Sequence, residues 1–408
     1  MHVLMVHNKY LQPGGEDIST EAELTLLKDN GIDVETLYVS NEQIKEIGKV
    51  KTSLRAVWSQ EIYEEVLKRL SETHFDVVHA QNFFPLVSPS IYYAAKKKKV
   101  AVVQTLSNYR LFCPNAILFR KGRPCEDCLN RRTAWPGVVH ACYRRSHLGS
   151  GVVAAMLLTH HVLRTWTSKV DAYVALTDFA LRKFAEAGFP RDKLFIKPNF
   201  VHPDPGLKNR AGEYALYVGR LSEEKGLRVL LAAWGMVRSW IPLRIAGDGP
   251  MRKEMAAETE AKGLQSVELL GHVSPSEVVT LMHGARLLVV PSVWYEGFPR
   301  TIAEAFACGL PVVASRLGSM EEIIADGENG LHFTPGDASE LAEKVEWAWT
   351  HPAEMEAMGH AARAEYETKY TAERNYGLLM QIYQRAIKTH RALRTPQREL
   401  SFPVDESQ

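Results

Sequence analysis

Apolar runs and stretches of helical period alternate along the first half of the chain. Six short apolar runs are typical of strands buried in a parallel sheet, and they start near Val3, Val34, Val77, Val100, Ala172 and Leu194. Helical stretches separate them, among them residues 54–70 and 178–187. This alternation predicts a parallel sheet whose strands are joined by right-handed helical crossovers.

A second strand–helix series follows residues 198–212, a segment rich in Pro, Gly and Asn. It begins with an apolar run at Tyr214 and a predicted helix over 225–240. Further strands are predicted to start at Leu243, Val267, Leu287 and Pro311. The fold is therefore predicted to be α/β, with two Rossmann-like, doubly wound parallel-sheet domains that face each other across a cleft, and with helices at the C-terminus.

The predicted boundaries follow from these changes of pattern, and a chain of 408 residues is long enough for two cores. They are an N-terminal domain over 1–198 with a basic, cysteine-rich insertion at 107–147, a linker at 199–213, a C-terminal domain over 214–370, a helix over 371–394 that returns to the N-terminal domain, and a flexible tail at 395–408.

Composition is that of a soluble globular enzyme, with 46% hydrophobic and 24% charged residues. The chain has no apolar run of about 18 residues and no signal-peptide layout, so a cytoplasmic location is expected. The net charge is +1, but residues 1–200 hold 27 Lys and Arg against 20 Asp and Glu, which favours an anionic surface as a partner for that half. The run Lys96–Lys99 either complements a helix C-terminus or contacts lipid headgroups.

Two carboxylates flank a predicted strand-to-helix corner in the second half. Glu296 lies in the loop above the strand, Pro299 suits the first helical position, and Glu304 lies inside the helix. The amides of Gly297 and Phe298 would point from the helix N-terminus, where anions are favoured. This layout predicts a site for a sugar nucleotide, and the alternative is a plain corner with two solvated glutamates.

Four further loops follow predicted strands, where ligands bind in open parallel sheets. Glycines there permit close approach of a phosphate, and two cations beside a helix start can converge on a diphosphate. Surface ion pairs with Glu223 or Glu224 are the alternative for these cations. The residues that these loops contribute are Gly14, Gly15, Arg220, Lys225, Gly247, Gly249, His272 and Val273.

In combination, these motifs resemble the nucleotide-sugar half of family-4 retaining glycosyltransferases with the GT-B architecture. The matching segments are Gly219-Arg220 with Lys225-Gly226, Gly247-Asp-Gly-Pro250, Gly271-His272-Val273, and Glu296-Gly-Phe-Pro with Glu304. The resemblance implies an enzyme that transfers a hexosyl unit from a UDP-sugar or GDP-sugar in polysaccharide biosynthesis. It also implies retention of the donor configuration and no catalytic cofactor or metal, and the chain contains no Asp-X-Asp pair.

The resemblance also implies a role for each matched residue. The equivalents of Arg220 and Lys225 bind the donor diphosphate, and these two residues with Glu296 are the expected catalytic set. The equivalent of Glu304 holds the ribose, while that of Glu296 meets hydroxyls of the sugar. The remaining donor-binding residues by this resemblance are Gly15, Gly247, Gly249, His272, Val273, Gly297, Phe298 and Pro299.

The sequence departs from the family pattern after the fourth strand. Relatives often carry His-Asn-Tyr or His-Asp-Tyr there, whereas this chain has Ser107-Asn108-Tyr109. Serine is shorter than histidine and carries no charge. Either the donor differs, or Asn108 or a displaced histidine compensates, or turnover is slow. Gly14, Ser107 and Asn108 are the residues expected on the acceptor or sugar side.

Four of the five cysteines lie in the insertion, at Cys113, Cys125, Cys128 and Cys142. Four thiols with one C-x-x-C spacing in a reducing cytosol predict a structural zinc that fixes the loop. The other spacings are not those of a standard zinc finger, so free or paired thiols are the alternative. The insertion is also rich in Arg and Lys, which makes it a candidate contact for an acceptor phosphate or a membrane.

The expected partners are a nucleoside-diphosphate-sugar donor, a glycan or polyprenyl-diphosphate-linked acceptor, and an anionic membrane at its inner face; nucleic acid is not expected. Two other functions stay open. One is a nucleotide-sugar epimerase of the same architecture, and the other is a catalytically impaired sugar-nucleotide-binding protein. A dinucleotide oxidoreductase is not favoured, because no Gly-X-Gly-X-X-Gly follows the first strand of either half.

Overall fold

The computed structural model describes residues 1–11, 14–208 and 212–392. These residues form two sheets of six parallel strands each and one short antiparallel hairpin. The predicted α/β class with two parallel-sheet domains is therefore confirmed. The predicted tail at 395–408 and residues 209–211 of the predicted linker lie outside the described residues.

The described residues of the N-terminal half contain eight strands in chain order. They are β1 (His2–Lys9), β2 (Asp33–Ser40), β3 (Val77–Asn82), β4 (Ala101–Leu106), β5 (Phe119–Arg120), β6 (Arg123–Pro124), β7 (Ala172–Ala175) and β8 (Leu194–Ile196). Strands β5 and β6 form the hairpin inside the insertion. The other six form a sheet in the order β2-β1-β3-β4-β7-β8, and every residue of β3 and β4 is buried.

The helices of this half cover the faces of the first sheet. They are α1 (Gly15–Asp29), α2 (Ile44–Ile47), α3 (Lys49–Val57), α4 (Gln60–Glu72), α5 (Ser90–Lys97), α6 (Trp135–Val139), α7 (His147–Val162), α8 (Thr165–Ser168) and α9 (Asp178–Glu186). The single helix predicted over 54–70 is wrong, because Trp58 and Ser59 have extended backbone and the Ser59 hydroxyl caps α4.

The second half repeats the arrangement. Its strands are β9 (Tyr214–Val218), β10 (Leu243–Ala246), β11 (Val267–Gly271), β12 (Ala285–Val290), β13 (Val312–Ser315) and β14 (Gly330–Phe333). Its helices are α10 (Leu227–Trp234), α11 (Arg252–Ala261), α12 (Pro275–Gly284), α13 (Arg300–Ala307), α14 (Ser319–Ile323), α15 (Ala338–Thr350), α16 (Pro352–Lys369) and α17 (Ala372–Ala392). The helix predicted over 225–240 is shorter, since Gly235 follows its last residue.

Each sheet reverses its strand order once. The second sheet has the order β11-β10-β9-β12-β13-β14, which is the Rossmann order, and its reversal lies between β9 and β12. In the first sheet the reversal lies between β1 and β3. Ligands of open α/β sheets bind beyond the carboxyl ends of the strands at such points, so the loops after these four strands define the candidate site.

The last helix packs on the first domain. Helix α17 contacts β4, β7 and α1, and its side chains Leu379, Ile382 and Tyr383 share a core cluster with Val3 and Val103. The Tyr383 hydroxyl also lies 2.7 Å from Nδ1 of buried His79. The chain thus crosses back after completing the second sheet. None of the helices in the described ranges is long and apolar enough to cross a membrane.

Candidate active site

Glu296 lies in the loop after β12 and is only 4% exposed. Its Oε1 atom accepts hydrogen bonds from Lys225 Nζ at 2.7 Å and from the Ser292 hydroxyl at 2.6 Å. No described residue donates to Oε2, so that oxygen can accept a hydrogen bond from a ligand. The ion pair suggested by the sequence, with Glu223 or Glu224, is wrong for Lys225, whose partner is Glu296.

The position of Lys225 depends on a tight approach of two loops. Lys225 ends a 3₁₀ turn, and Gly226 follows with a φ of 72°. A Cβ atom on Gly226 would lie 1.8 Å from the carbonyl oxygen of Pro291, so only glycine fits. The ammonium also lies 5.4 Å from the centroid of the Trp294 ring. Because an ammonium has three donors and Glu296 takes one, Lys225 can also contact a phosphate.

The glycines of the neighbouring loops allow the backbone to pack closely. A Cβ atom on Gly247 would lie 1.9 Å from the carbonyl oxygen of Gly219, and one on Gly249 would lie 2.4 Å from that of Leu221. The assignment of Gly247 and Gly249 to donor binding stays a prediction, and in the structure the lack of a side chain at both positions also lets these loops pack together. The loops after β9 and β10 therefore pack closely against each other, and their joint surface is called the ledge below.

Three other predicted donor-side residues lie along this ledge. Arg220 is exposed and forms no ion pair with any residue in the described ranges. His272 is exposed and Val273 is half-buried, both just after β11. The structure therefore places all three at strand ends of the second sheet, and Arg220 has its guanidinium available for an anion.

Helix α13 begins one residue later than predicted. Pro299 precedes it with an extended backbone, and Arg300 is its first residue. Glu304 is half-buried, and its Oε1 lies 3.3 Å from the guanidinium of Arg300. Phe298 is buried, with its ring 5.6 Å from that of Tyr370, so its side chain packs in the core. Only its backbone amide could take part in the predicted donor binding.

The opposite side of the cleft is the start of α1. The Asp17 carboxylate accepts the Gly14 amide at 2.9 Å and lies 2.9 Å from His7 Nε2, which fixes this helix N-terminus. A Cβ atom on Gly14 or Gly15 would meet no atom of the described residues within 4 Å, so those residues leave the helix start open. The open N-terminus of this 15-residue helix favours an anion through its free amides and its dipole.

Ser107 approaches the second domain, whereas Asn108 contacts residues of the first. A Cβ atom on Gly297 would lie 2.7 Å from the Ser107 carbonyl oxygen, so this glycine lets the two loops approach. The Asn108 amide donates to Glu16 Oε1 at 2.5 Å, and the Tyr10 hydroxyl donates to Glu16 Oε2 at 2.9 Å. Asn108 is thus hydrogen-bonded to Glu16, and among the described residues no histidine is bonded to Asn108.

Glu16 and Tyr10 were not identified from the sequence, although Glu16 follows the glycine pair directly. Burial raises the pKa of the Glu16 carboxyl. Nearby, Arg110 lies with its guanidinium 4.7 Å from the Phe84 ring and 5.2 Å from the Tyr143 ring. Phe84, Asn108 and Arg110 line a pocket at the ends of β3 and β4. This pocket is the candidate acceptor side of the cleft.

The cysteines of the insertion are all free thiols in the structure. Burial raises the pKa of the Cys128 thiol to about 12 and that of Cys142 to about 11, and the neighbouring Cys113 adds to both shifts. Cys125 is half-buried. Within the described part of the chain, no three His, Cys, Asp or Glu side chains are arranged to hold a metal ion. The structural zinc stays a prediction that these side-chain positions do not support.

Comparison with solved structures identifies the architecture. The chain is similar to Anabaena Alr3699/HepE in complex with UDP and glucose, with a TM-score of 0.68 over 94% of this chain and 99% of that chain, at 17% identity. At this identity the likeness shows the fold alone. The two Rossmann-like domains facing across a cleft form the GT-B fold.

Sequence comparison finds a family match in the second half of the chain. Residues 201–365 match the family model for glycosyl transferases group 1. It is 33% identical to D-rhamnosyltransferase WbpZ of Pseudomonas aeruginosa over 161 residues, which are 39% of this chain and 42% of the relative. It is 35% identical to phosphatidyl-myo-inositol mannosyltransferase of Mycobacterium leprae over 196 residues, 45% and 51% of the two chains. The matches thus span about half the length of these relatives.

Proposed function

We propose that this protein is a glycosyltransferase that moves a sugar from a nucleoside-diphosphate-sugar to a glycan or lipid-linked acceptor at the inner face of a membrane. The observation that carries the proposal is the Lys225–Glu296–Ser292 cluster, located where the strand order of the second sheet reverses. Two relatives are named as a rhamnosyltransferase and a mannosyltransferase, and these names support the transfer of a sugar. The UDP in the HepE structure supports a nucleotide donor.

On the donor side, each group has a chemical task. Arg220 and Lys225 bind the diphosphate, together with the amides of Gly297 and Phe298 before α13. Glu296 Oε2 accepts a hydrogen bond from a sugar hydroxyl, while its Oε1 stays fixed by Lys225. We assign the ribose hydroxyls to Glu304, by the resemblance of the segment.

The reaction separates charge, so groups that stabilise the separated charges in the transition state accelerate it. As the anomeric bond breaks, the sugar gains positive charge and the leaving diphosphate gains negative charge. Fixed cations and amides at the diphosphate lower the barrier because they bind this charge more strongly than they bind the ground state. We further propose that these protein groups neutralise the diphosphate without a divalent metal, and that the leaving phosphate takes the acceptor proton on the face it leaves, which retains the donor configuration.

A screen of UDP-, GDP- and ADP-sugars tests the proposal, with donor hydrolysis and thermal stabilisation as readouts. Lys225→Ala and Glu296→Ala should each abolish turnover while leaving the fold intact. Lys253→Ala and Glu328→Ala, at exposed positions of the same domain, should behave like the wild type. Normal rates in either site variant would refute the assignment. Isomerised sugar from donor alone would identify an epimerase, and tight nucleotide binding without any turnover would identify a binding protein.

A further inference from the structure

Helix α7 lies at the surface of the N-terminal domain, yet its 16 residues include no Asp, Glu, Lys or Arg. Its inner side packs in the core through Val153, Met156 and Leu157. Its outer side exposes Leu148 by 87% and Val162 by 69%. A surface helix ordinarily places charged side chains outward, and a helix that is apolar all round is ordinarily covered on every side. The outer side of α7 also exposes His147 and His161, but the apolar residues between them have no charged side chain among them.

Two neighbouring helices extend this apolar side. Helix α6 adjoins the start of α7, where His147 Nδ1 lies 2.8 Å from the Val138 carbonyl oxygen. Helix α3 adjoins its end, where His160 Nε2 lies 2.9 Å from the Val57 carbonyl oxygen. Each neighbour exposes two apolar side chains four residues apart, hence on one side of the helix. The α3–α6–α7 surface is defined by the exposed residues Val50, Leu54, Trp135, Val139, Leu148, Leu158 and Val162.

Cations surround this surface and carboxylates are missing from its main segment. Residues 128–170 contain no Asp or Glu, and their Lys and Arg residues are Arg131, Arg132, Arg144, Arg145, Arg164 and Lys169. Lys49 and Lys51 add exposed cations on α3. Apolar side chains flanked by cations are typical of helices that lie in the interface of an anionic membrane.

Arg144 and Arg145 lie at a position where positive charge is unfavourable for the helix that follows them. They precede the N-terminus of α7, which is the positive end of its dipole. Both have left-handed backbone, with φ of 51° and 55°, which is strained for a residue other than glycine. Neither forms an ion pair with a residue in the described ranges. The Arg144 guanidinium lies 5.4 Å from the centroid of the Tyr143 ring, and both cations remain able to contact an anion outside the chain.

We propose that the α3–α6–α7 surface docks onto an anionic lipid bilayer. The headgroups meet the cations, and the apolar side chains of α7 enter the boundary with the acyl chains. A second copy of the chain is a poorer occupant, because a symmetric interface would bring these cations against their own copies. The surface lies outside the donor site, so the proposal does not depend on the transfer reaction.

The docking surface is connected to the cleft through Tyr143, which lies shortly before α7. The Tyr143 ring is 5.7 Å from that of Phe84 and 5.2 Å from the guanidinium of Arg110, and both of these residues line the pocket at the ends of β3 and β4. Docking would hold this pocket close to the bilayer, where a lipid-anchored acceptor is presented. This last step alone rests on the proposed function.

Co-sedimentation of the full chain with vesicles tests the proposal. We expect the chain to pellet with phosphatidylcholine vesicles that contain phosphatidylglycerol, and to pellet less with phosphatidylcholine alone or at high salt. The double variant Leu148→Ser/Val162→Ser should lower the partition coefficient roughly tenfold or more, because two buried aliphatic side chains are lost. The matched control is Met236→Ser/Trp240→Ser, at sites that are 54% and 67% exposed on the C-terminal domain, and it should bind like the wild type.

Three results would overturn the proposal. The first is wild-type chain that stays in the supernatant with anionic vesicles, and the second is a double variant that pellets as well as the wild type. The third is self-association of the wild type, measured by light scattering, that the double variant abolishes while vesicle binding is absent. Unchanged circular dichroism of the double variant excludes misfolding. Its donor hydrolysis in the absence of vesicles should also be unchanged, so a chain that hydrolyses no donor would contradict the proposed function and leave the docking result standing.

Discussion

At the scale of single residues, the two oxygens of Glu296 have different surroundings. Oε1 is held by Lys225 and by Ser292, which is itself buried, while Oε2 receives no hydrogen bond from the described residues. The carboxylate is therefore fixed by one atom and available through the other. Such a fixed orientation matters because a reacting sugar is bound productively only when its partner groups are already in place.

Ser292→Ala tests this orientation. The variant keeps the Lys225–Glu296 ion pair but removes one of the two donors to Oε1, so the carboxylate can rotate. We expect transfer to fall about tenfold, which is the effect of one hydrogen bond to a charged group. Steady-state kinetics should show the loss with the thermal stability nearly unchanged. Ser276→Ala, at an exposed site, is the matched control; equal kinetics in the two variants would contradict the role given to Ser292.

The partners of the site residues were harder to predict than the residues. The motifs identified Lys225 and Glu296, but their ion pair spans 71 residues of sequence. It forms because the second sheet places β9 next to β12, and strand order is not contained in the apolar pattern. The bond from Asn108 to Glu16 spans 92 residues for the same kind of reason. Local spacing therefore finds candidate groups, and topology decides which of them meet.

At the scale of elements, the 3₁₀ turn that holds Lys225 depends on Gly226. Gly226→Ala would place a Cβ atom 1.8 Å from the Pro291 carbonyl oxygen in addition to the strain of its left-handed backbone. Gly263 has a similar φ of 59° but no atom within 4 Å of such a Cβ, so Gly263→Ala carries the strain alone. We expect Gly226→Ala to lose at least about 2 kcal/mol more unfolding free energy than Gly263→Ala, as measured by urea unfolding.

Donor affinity should separate the same two variants. The Gly226→Ala backbone shift moves Lys225 away from Glu296, so nucleotide binding should weaken, whereas Gly263 lies after α11 and away from Lys225. Isothermal titration with the donor found in the screen measures this. Equal stability losses and equal affinities in both variants would show that the close contact with Pro291 affects neither stability nor donor binding.

The elements that the sequence predicted poorly are short or broken. The apolar runs located β9 to β13, but β14 has only four residues and includes His332, whose ring is satisfied by backbone carbonyls. The stretch over 54–70 kept helical period through Trp58 and Ser59, although the chain bends there. Periodicity reports which residues face a core, and it is silent about a break that preserves the same face.

The anchoring of α17 on the first sheet involves an acid-sensitive residue. His79 bonds to Tyr383 of α17 and to Thr105 of β4, and burial lowers its pKa to about 4. Glu23 and Lys197 face it from α1 and from the end of β8. Because an unfolded histidine has a pKa of about 6.5, the unfolded chain binds a proton that the folded chain does not as the pH falls from about 6.5 to 4.

His79→Gln should flatten this acid dependence. The wild type should lose on the order of 3 kcal/mol of unfolding free energy between about pH 7 and pH 4 through this residue, and the variant should lose correspondingly less. The readout is the slope of unfolding free energy against pH, which is separate from any constant loss caused by the substitution. His360→Gln, at an exposed position, should keep the wild-type slope. Parallel slopes in all three proteins would show that His79 does not titrate as described.

At the scale of the whole molecule, the two domains are joined by contacts close to the cleft. The Glu322 carboxylate accepts the Asp178 and Phe179 amides, at 2.8 and 2.7 Å, so a residue of α14 caps the N-terminus of α9 in the other domain. Arg300 reaches the Ser19 hydroxyl at 3.3 Å. These contacts fix the distance between the helix starts that are proposed to bind the donor from either side.

Glu322→Ala tests whether this interdomain cap controls the cleft. The substitution removes both bonds and the charge at the α9 N-terminus, and an exposed anion at such a place changes an equilibrium by roughly two- to fivefold. We expect transfer at low donor concentration to fall by about that factor and small-angle scattering to show a larger radius of gyration, while each domain unfolds as before. Glu321→Ala is the matched control, because Glu321 is exposed beside it and caps no helix of the other domain. A radius of gyration that stays equal in both variants, with unchanged transfer, would mean that the cleft is held by the remaining contacts alone.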